Sequence, residues 1–278
     1  MKYFSRAAVQ LFGKISTRFE LVFALYEKNG YTGPICILRR SGDNVEATFY
    51  QGATAGTLNT VRGGSGTDLL TWVYQGSGTG AAYGKQWYDQ SGKNNHLTQT
   101  STANQYFLVD AGAYVTIGTN NRPCWKSNGN GQWNLTNTVN ISTLDFTVID
   151  VKRNEFANQY VSSLAHSVNG TPYFNYKYSD NNIYMHDNTG YVNGAVADGT
   201  TAHTYTGTKR SGTMKIYKET TLVSGTKTTG AGVSTIVNNI GNRAGEKQAS
   251  FFAELVMQLG TAWDYTNEQT SIRTYYGT

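Results

Sequence analysis

The sequence predicts an all-β protein built as a two-sheet antiparallel sandwich, and three observations carry the prediction. Twenty Tyr and 31 Gly stand in a background rich in Thr and Asn, a make-up that favours pleated strands joined by Gly and Asn turns. Apolar and polar residues alternate with period two in Phe146–Val151, in Phe174/Tyr176/Tyr178 against Asn175/Lys177, and in Met214/Ile216 against Lys215/Tyr217. Charged residues are only 15% of the chain, against about 25% in an average domain, so the outward strand positions must be polar and uncharged.

At 278 residues the chain fits one large sandwich preceded by an arm, and the expected division is 1–28 for the arm and 29–278 for the sandwich. Within the arm, apolar residues at 4, 8, 11, 12, 15, 19, 22, 23 and 26 recur at spacings of three and four. This predicts an N-terminal amphipathic helix over 3–28, with Phe4, Leu11, Ile15, Phe19, Val22 and Tyr26 on its apolar stripe. After Gly30 the pattern changes to short strands, the first at Ile35–Arg39 and the last ending near Met257. Residues 51–86 are Gly-rich and read as a long surface excursion, anchored by a short helix or turn at Leu69, Leu70, Trp72 and Val73. The end of the chain predicts a short closing helix, capped by Asp264 or Thr266, packed through Ile272 and Tyr276, with Arg273 late where it suits the dipole. No fixed repeat period is visible, which disfavours solenoids and propellers.

Residues 1–40 carry seven Lys or Arg and two Glu, so the whole net charge of +5 lies there and the remainder sums to zero. A basic arm on a neutral body predicts docking to an acidic partner or an anionic membrane surface. It argues against specific nucleic-acid binding along the chain. Lys2, Phe4, Arg6, Leu11, Lys14, Ile15 and Arg18 are the candidate anchoring residues, and the apolar stripe would be buried between copies in a homo-oligomer. Cys36 and Cys124 are far apart and lack the close Cys or His pairs of a zinc site. The start has no signal-peptide pattern, and no stretch approaches about 18 apolar residues in a row, so neither export by a signal nor a membrane span is expected.

Three stretches, GYTGPICILRRSGDN (30–44), KQWYDQSGKNNHLTQT (85–100) and NNRPCWKSNG (120–129), resemble in order and spacing the segments of arabinofuranosidase-B-like domains. FTVIDVKR, HTYTGTKRSGTMKIYKETTLVSG and IGNRAGEKQASFFAELVMQLG add a laminin-G-like pattern, so the resemblance covers roughly residues 20–278. It implies a concanavalin-A-like jelly-roll sandwich of the kind also found in bacteriophage tail, fibre and capsid-associated proteins. With the docking arm, it implies a virion component whose partners are other virion proteins and host-surface glycan.

The resemblance also bears on chemistry. Glycoside hydrolysis needs two carboxyl groups set across the sugar ring. Aligned on the family's pattern, Arg243 stands where the general acid would be, and the region around VSSLAHSVNGTPYFNY offers no matching nucleophile. An arginine does not donate that proton near neutral pH. The expectation is therefore a non-catalytic protein. The alternatives are a hydrolase with a relocated pair drawn from Asp150, Glu155, Asp187, Glu246 and Glu254, and a purely structural cement subunit.

In WYDQSGKNNH, Asp89 can accept backbone N–H groups, Gly92 can take positive φ, and Asn94 and Asn95 can close the loop; Trp87 and Tyr88 then point to opposite sides of the preceding strand. The structural use of this turn is commoner than a sugar site. Sugars stack on aromatic rings while amides and carboxylates take their hydroxyls, so Tyr88, Asp89, Asn95, His96, Trp125, Trp133 and Trp263 are the candidate carbohydrate-binding residues, with Tyr173, Tyr176 and Tyr184 as further rings. No cofactor is called for. The cluster Asp180, Asn181, Asn182 and Asp187 reads as a tight hairpin turn or, less commonly, as a Ca²⁺ site.

Overall fold

The computed structural model describes residues 19–28, 30–76, 80–127, 129–141, 145–154, 160–165, 172–177, 182–187, 189–195, 201–229, 236–241, 250–260 and 264–278. The main strands are β1 (Leu21–Phe23), β2 (Cys36–Arg40), β3 (Glu46–Gln51), β4 (Ala82–Trp87), β5 (Trp133–Asn140), β6 (Phe146–Asn154), β7 (Tyr160–Ala165) and β8 (Pro172–Lys177). They continue with β9 (Asn182–Asp187), β10 (Gly190–Ala195), β11 (His203–Arg210), β12 (Thr213–Lys218), β13 (Thr228–Thr229), β14 (Ile236–Gly241) and β15 (Ser250–Leu259).

All pairings among the described strands are antiparallel, as expected for the sandwich. One layer runs β1-β15-β6-β11-β12. The other runs β5-β14-β7-β8-β9-β10-β13. Strands β3, β2 and β4 form a third run, tied to β5 through Leu97–Thr98 and to β15 through Phe107–Asp110 and Trp125–Lys126.

Alternation along β6 and β15 sorts the apolar residues into two cores. Phe146, Val148, Leu255 and Met257, with Ile216 of the same layer, face the other layer and share a core with its Leu164, Phe174, Ile183, Met185 and Val192. Ile149, Val151 and Val256 face outward and are covered by Ile272 and Tyr276 of the C-terminal helix. That helix, α2 (Thr266–Tyr276), follows α1 (Leu69–Tyr74) in the chain. The helix expected at Leu69–Val73 and the closing C-terminal helix thus form. Asp68 accepts the Thr71 N–H at 3.0 Å and Asp264 the Thr266 N–H at 3.0 Å, while Gly277 at φ 71° closes α2 through a 2.7 Å bond to the Arg273 carbonyl. No helix among the described residues is long and apolar enough to cross a membrane.

Two expectations need correction. Residues 21–23 are a strand instead of the end of a helix, in register with Met257–Leu255. Leu21, Phe23 and Leu25 enter the inter-sheet core while Phe19 and Val22 enter the outer one, so a short apolar run buried on both sides needs no helical stripe. The anchoring residues Lys2, Phe4, Arg6, Leu11, Lys14, Ile15 and Arg18 lie outside the described residues. The Gly-rich excursion is shorter than 51–86, because Ala82–Gln86 belong to β4, paired with β2. Gly84 is required there: a Cβ at this position would stand 2.5 Å from the Trp133 ring and 2.7 Å from that of Trp125.

Candidate functional site

The Trp87–His96 turn is built around Asp89, which is 2% exposed. Its carboxylate accepts the backbone N–H groups of Val22 (3.0 Å), Ser91 (2.9 Å) and Asn95 (3.1 Å) and the Ser91 hydroxyl (2.7 Å). Gly92 at φ 83° and Asn94 at φ 59° supply the left-handed backbone the turn needs. His96 Nδ1 accepts the Asp89 N–H at 3.1 Å, which fixes the neutral tautomer with the proton on Nε2, and burial holds its pKa below the usual histidine value despite Asp89. Asp89 and Asn95 therefore spend their polar atoms on the fold and face the β1 segment, which removes them from the sugar-binding set. Tyr88 remains partly exposed beside His96, with ring centroids 4.9 Å apart.

Trp125 and Trp133 leave that set as well. Both are 0% exposed and pack edge to face on each other at 5.2 Å, within a group that includes Trp87, Tyr106 and Phe252. No ligand ring can stack on them, because aromatic residues at inward strand positions fill the core first. Trp263 and the side chains of Tyr173 and Tyr176 lie outside the described residues, as do Arg243, Glu155 and Glu246.

The three described carboxylates of the relocated-pair alternative are each held by a lysine. Glu254, fully buried on the outer face of β15, meets the Lys28 ammonium and accepts the Tyr26 hydroxyl at 3.0 Å; Lys28 also reaches Glu268 of α2 at 2.6 Å. Burial pushes the Glu254 carboxyl up, with Lys28 pulling the other way, and the two carboxylates hold Lys28 well above its ordinary value although burial alone would lower it. Asp150 contacts Lys152 at 2.9 Å inside the inter-sheet core, where the ammonium lies 4.5 Å from the Phe174 ring and 5.3 Å from that of Tyr205. Asp187 contacts Lys227 at 2.8 Å. Burial would raise the Asp187 pKa, but the bonds from Lys227 and Thr189 hold it below the usual range. As a calcium cluster the 180–187 segment is broken up: Asn182 and Asp187 sit at opposite ends of β9, roughly 16 Å apart at strand rise, and Asp180 and Asn181 lie outside the described residues. No group of three acidic, His or Cys side chains among the described residues is placed to hold a metal.

What remains is a surface that motif reading did not single out. On β9, Ile183 and Met185 enter the core, so Tyr184 and His186 stand on the opposite face. His186 is directly across from Tyr191 of β10 and Tyr184 from Asn193. The rings of Tyr184, His186 and Tyr191 form a closed trio with centroids 6.0, 5.7 and 5.4 Å apart, and all three side chains are partly exposed. The strand register extends this patch into a row, Asn193–Tyr184–Asn175–Ser162, across four neighbouring strands. On the same sheet, Asn239 of β14 is 0% exposed and its amide has no hydrogen-bond partner. An aromatic platform with the partly exposed Asn193 directly across from Tyr184 suits a neutral polyhydroxylated surface. Of the residues proposed from sequence only Tyr184 belongs to it. His186 and Tyr191 were discoverable from the alternating stretch NIYMHD-NTG-YVNGA, had it been folded as a hairpin.

No family model matches the chain, and no curated protein matches it. Among solved structures it is similar to a GH54 a-l-arabinofuranosidase soaked with a cyclic sulfate inhibitor, at 15% identity and a TM-score of 0.58, over 93% of this chain and 63% of that one. An arabinofuranosidase complexed with arabinofuranosyl-alpha-1,2-xylobiose gives 14% identity and a TM-score of 0.58, over 96% of this chain and 64% of that one. The chain thus spans less than two thirds of the length of these enzymes. At this identity the likeness defines the class of fold, a β-sandwich of the arabinofuranosidase type, which agrees with the sequence resemblance.

Proposed function

We propose that the chain is a non-catalytic carbohydrate-binding sandwich, a bacteriophage virion component that displays its Tyr184–His186–Tyr191 face to host glycan while the basic arm docks it on neighbouring virion proteins. The observation that carries the binding half is the aromatic trio, three partly exposed rings in mutual contact with Asn193 directly across from Tyr184. The virion half rests on the sequence resemblance and on the concentration of positive charge in residues 1–40. The non-catalytic half is supported by the lysine pairing of Asp150, Asp187 and Glu254, since a carboxylate committed to an ammonium partner is a poor nucleophile and a poor proton donor.

A glycan array with the full chain tests the reading. Tyr184→Ala and Tyr191→Ala should each weaken the best array ligand about tenfold, as expected for losing about 1.4 kcal/mol of ring contact, with no release of free sugar over the incubation. An array without ligands would refute the binding half and leave the cement role. Steady release of sugar would refute the non-catalytic half. Deleting residues 1–18 should abolish particle attachment without unfolding the sandwich, and retained attachment would exclude the arm as the anchor.

A further inference from the structure

A stripe of alternating cations and rings crosses the strands on the outer side of the β15–β6 layer. Strand register sets Arg39 of β2 across from Tyr83 of β4, Tyr83 across from Phe107, and Phe107 across from Lys126. It continues with Lys126 across from Phe251 of β15, and Phe251 across from Arg153 of β6. Directly paired residues share a face of the sheet, so these six stand side by side over five strand spacings, about 24 Å. Phe251 belongs to the outer core with Val151 and Ile272, and Phe107 packs against that core. The stripe is therefore turned away from the other layer and from its Tyr184–His186–Tyr191 face.

The rings hold the cations in place. Arg39 Cζ lies 4.6 Å from the Tyr83 centroid and Arg153 Cζ 3.8 Å from that of Phe251, with the Lys126 ammonium 6.0 Å from Phe251 on its other side. Stacking fixes both guanidinium planes before any ligand arrives. Arg39 also donates to the side-chain oxygens of Gln105 at 3.0 Å and Asn44 at 2.6 Å, both neutral. Among the described residues neither arginine has an acidic partner. The acids along the stripe are Glu46, across from Arg39 but paired with Lys85, and Asp110, 3.4 Å from Lys126.

Ring orientation narrows the ligand. Tyr83 has Arg39 on one side and Phe107, at 4.7 Å between centroids, on the other, and Phe251 is 5% exposed between Lys126 and Arg153. What Tyr83 offers to solvent is therefore ring edge. Sugar C–H groups stack on the negative face of a ring, which is covered here, whereas a positive edge takes the negative face of another π-system. An unpaired nucleobase has such a face free, and its phosphate is the partner of a guanidinium edge.

We propose that this stripe is a sequence-independent contact surface for a single-stranded polynucleotide, whose phosphates meet Arg39, Lys126 and Arg153 while its bases pack on the edges of Tyr83 and Phe107. The surface is separate from the glycan face and stands or falls without it.

Fluorescence anisotropy of the full chain with a labelled oligothymidylate of about 20 nucleotides, over a series of salt concentrations, tests the surface. Three phosphate contacts on a single strand give a slope of log affinity against log salt of about −2, at about −0.7 per contact. Arg39→Gln and Arg153→Gln should each bring the slope about 0.7 nearer zero and weaken low-salt binding about fivefold, whereas Phe107→Leu weakens binding at unchanged slope. Both effects should persist in a full chain whose arm carries Lys2→Gln, Arg6→Gln, Lys14→Gln and Arg18→Gln, and Tyr191→Ala should leave oligonucleotide binding unchanged. Circular dichroism confirms that each variant is folded. No saturable binding to the folded wild type, or none once the arm is neutralised, overturns the surface. Equal affinity for a duplex of the same length overturns the single-strand assignment. Tighter binding of polygalacturonate than of the oligonucleotide, lost in Arg153→Gln, overturns the proposal in favour of an acidic glycan.

Discussion

Lys28 and Glu254 form an ion pair closed to solvent from both sides, with 6% and 0% of their side chains exposed. The pair joins the segment after β1 to the outer face of β15, and Glu268 extends it to α2 at 2.6 Å from the same ammonium. Removing one partner leaves the other charge buried, which costs about 3–5 kcal/mol. Lys28→Met should lower the unfolding free energy measured in urea by that amount, and Lys28→Met/Glu254→Gln should recover part of the loss. A double variant less stable than the single one would mean that Glu254 has no dependence on Lys28.

The same cluster sets the response to alkali. Lys28 is held well above its ordinary value, and burial raises Tyr106, Tyr275 and Tyr276 far above the usual tyrosine value of 10.0. Each of these groups binds its proton more tightly folded than unfolded. The stability they confer is therefore complete below about pH 10 and declines as pH rises toward their folded values. Thermal midpoints should fall steeply above roughly pH 10, with tyrosinate absorption rising together with unfolding. Tyrosinate absorption from a still-folded protein would contradict the assigned burial.

Asp89 offers a test of a turn built for structure. Its four hydrogen bonds tie together Val22, Ser91 and Asn95, two of them backbone donors from within the loop it organises. Asp89→Ala strands those donors in a buried site and should cost about 3 kcal/mol, with Asp89→Asn intermediate because one acceptor oxygen survives. Glycan affinity of the folded fraction should not change. A specific loss of affinity at unchanged stability would return this turn to the binding face.

The parts of the fold that could be read from the chain are those in which a local pattern has a single physical use. The Asp89–Gly92–Asn94 spacing demands a turn, and the alternation in Phe146–Val151 demands a half-and-half strand, here dividing two cores. Leu21–Phe23 was ambiguous because a short apolar run buried on both sides satisfies helix and strand alike. Trp125, Trp133 and Tyr184 carry the same chemical invitation to a sugar, and only the tertiary packing decides which ring stays outside. The Lys209–Asp187 contact joins opposite layers, and the Tyr184–His186–Tyr191 trio depends on hairpin register. The first is encoded in no single segment, and the second only in the stretch 182–195 once it is folded as a hairpin.

Trp133 gives the sharpest separation of core from site. Its ring stacks on Tyr106 at 5.8 Å, meets Trp125 at 5.2 Å and closes over Gly84, and its indole N–H is buried without a hydrogen-bond partner. Trp133→Ala should cost about 3–5 kcal/mol through the cavity left among these rings. Trp133→Phe should cost less, because it removes an unsatisfied donor along with the lost volume. Urea unfolding measures both. Glycan affinity per folded molecule should stay at the wild-type value in both variants, whereas Tyr191→Ala should lower affinity with little effect on stability. If the Trp133 variants lose affinity in proportion to ring size while Tyr191→Ala does not, the binding face lies elsewhere on the sandwich.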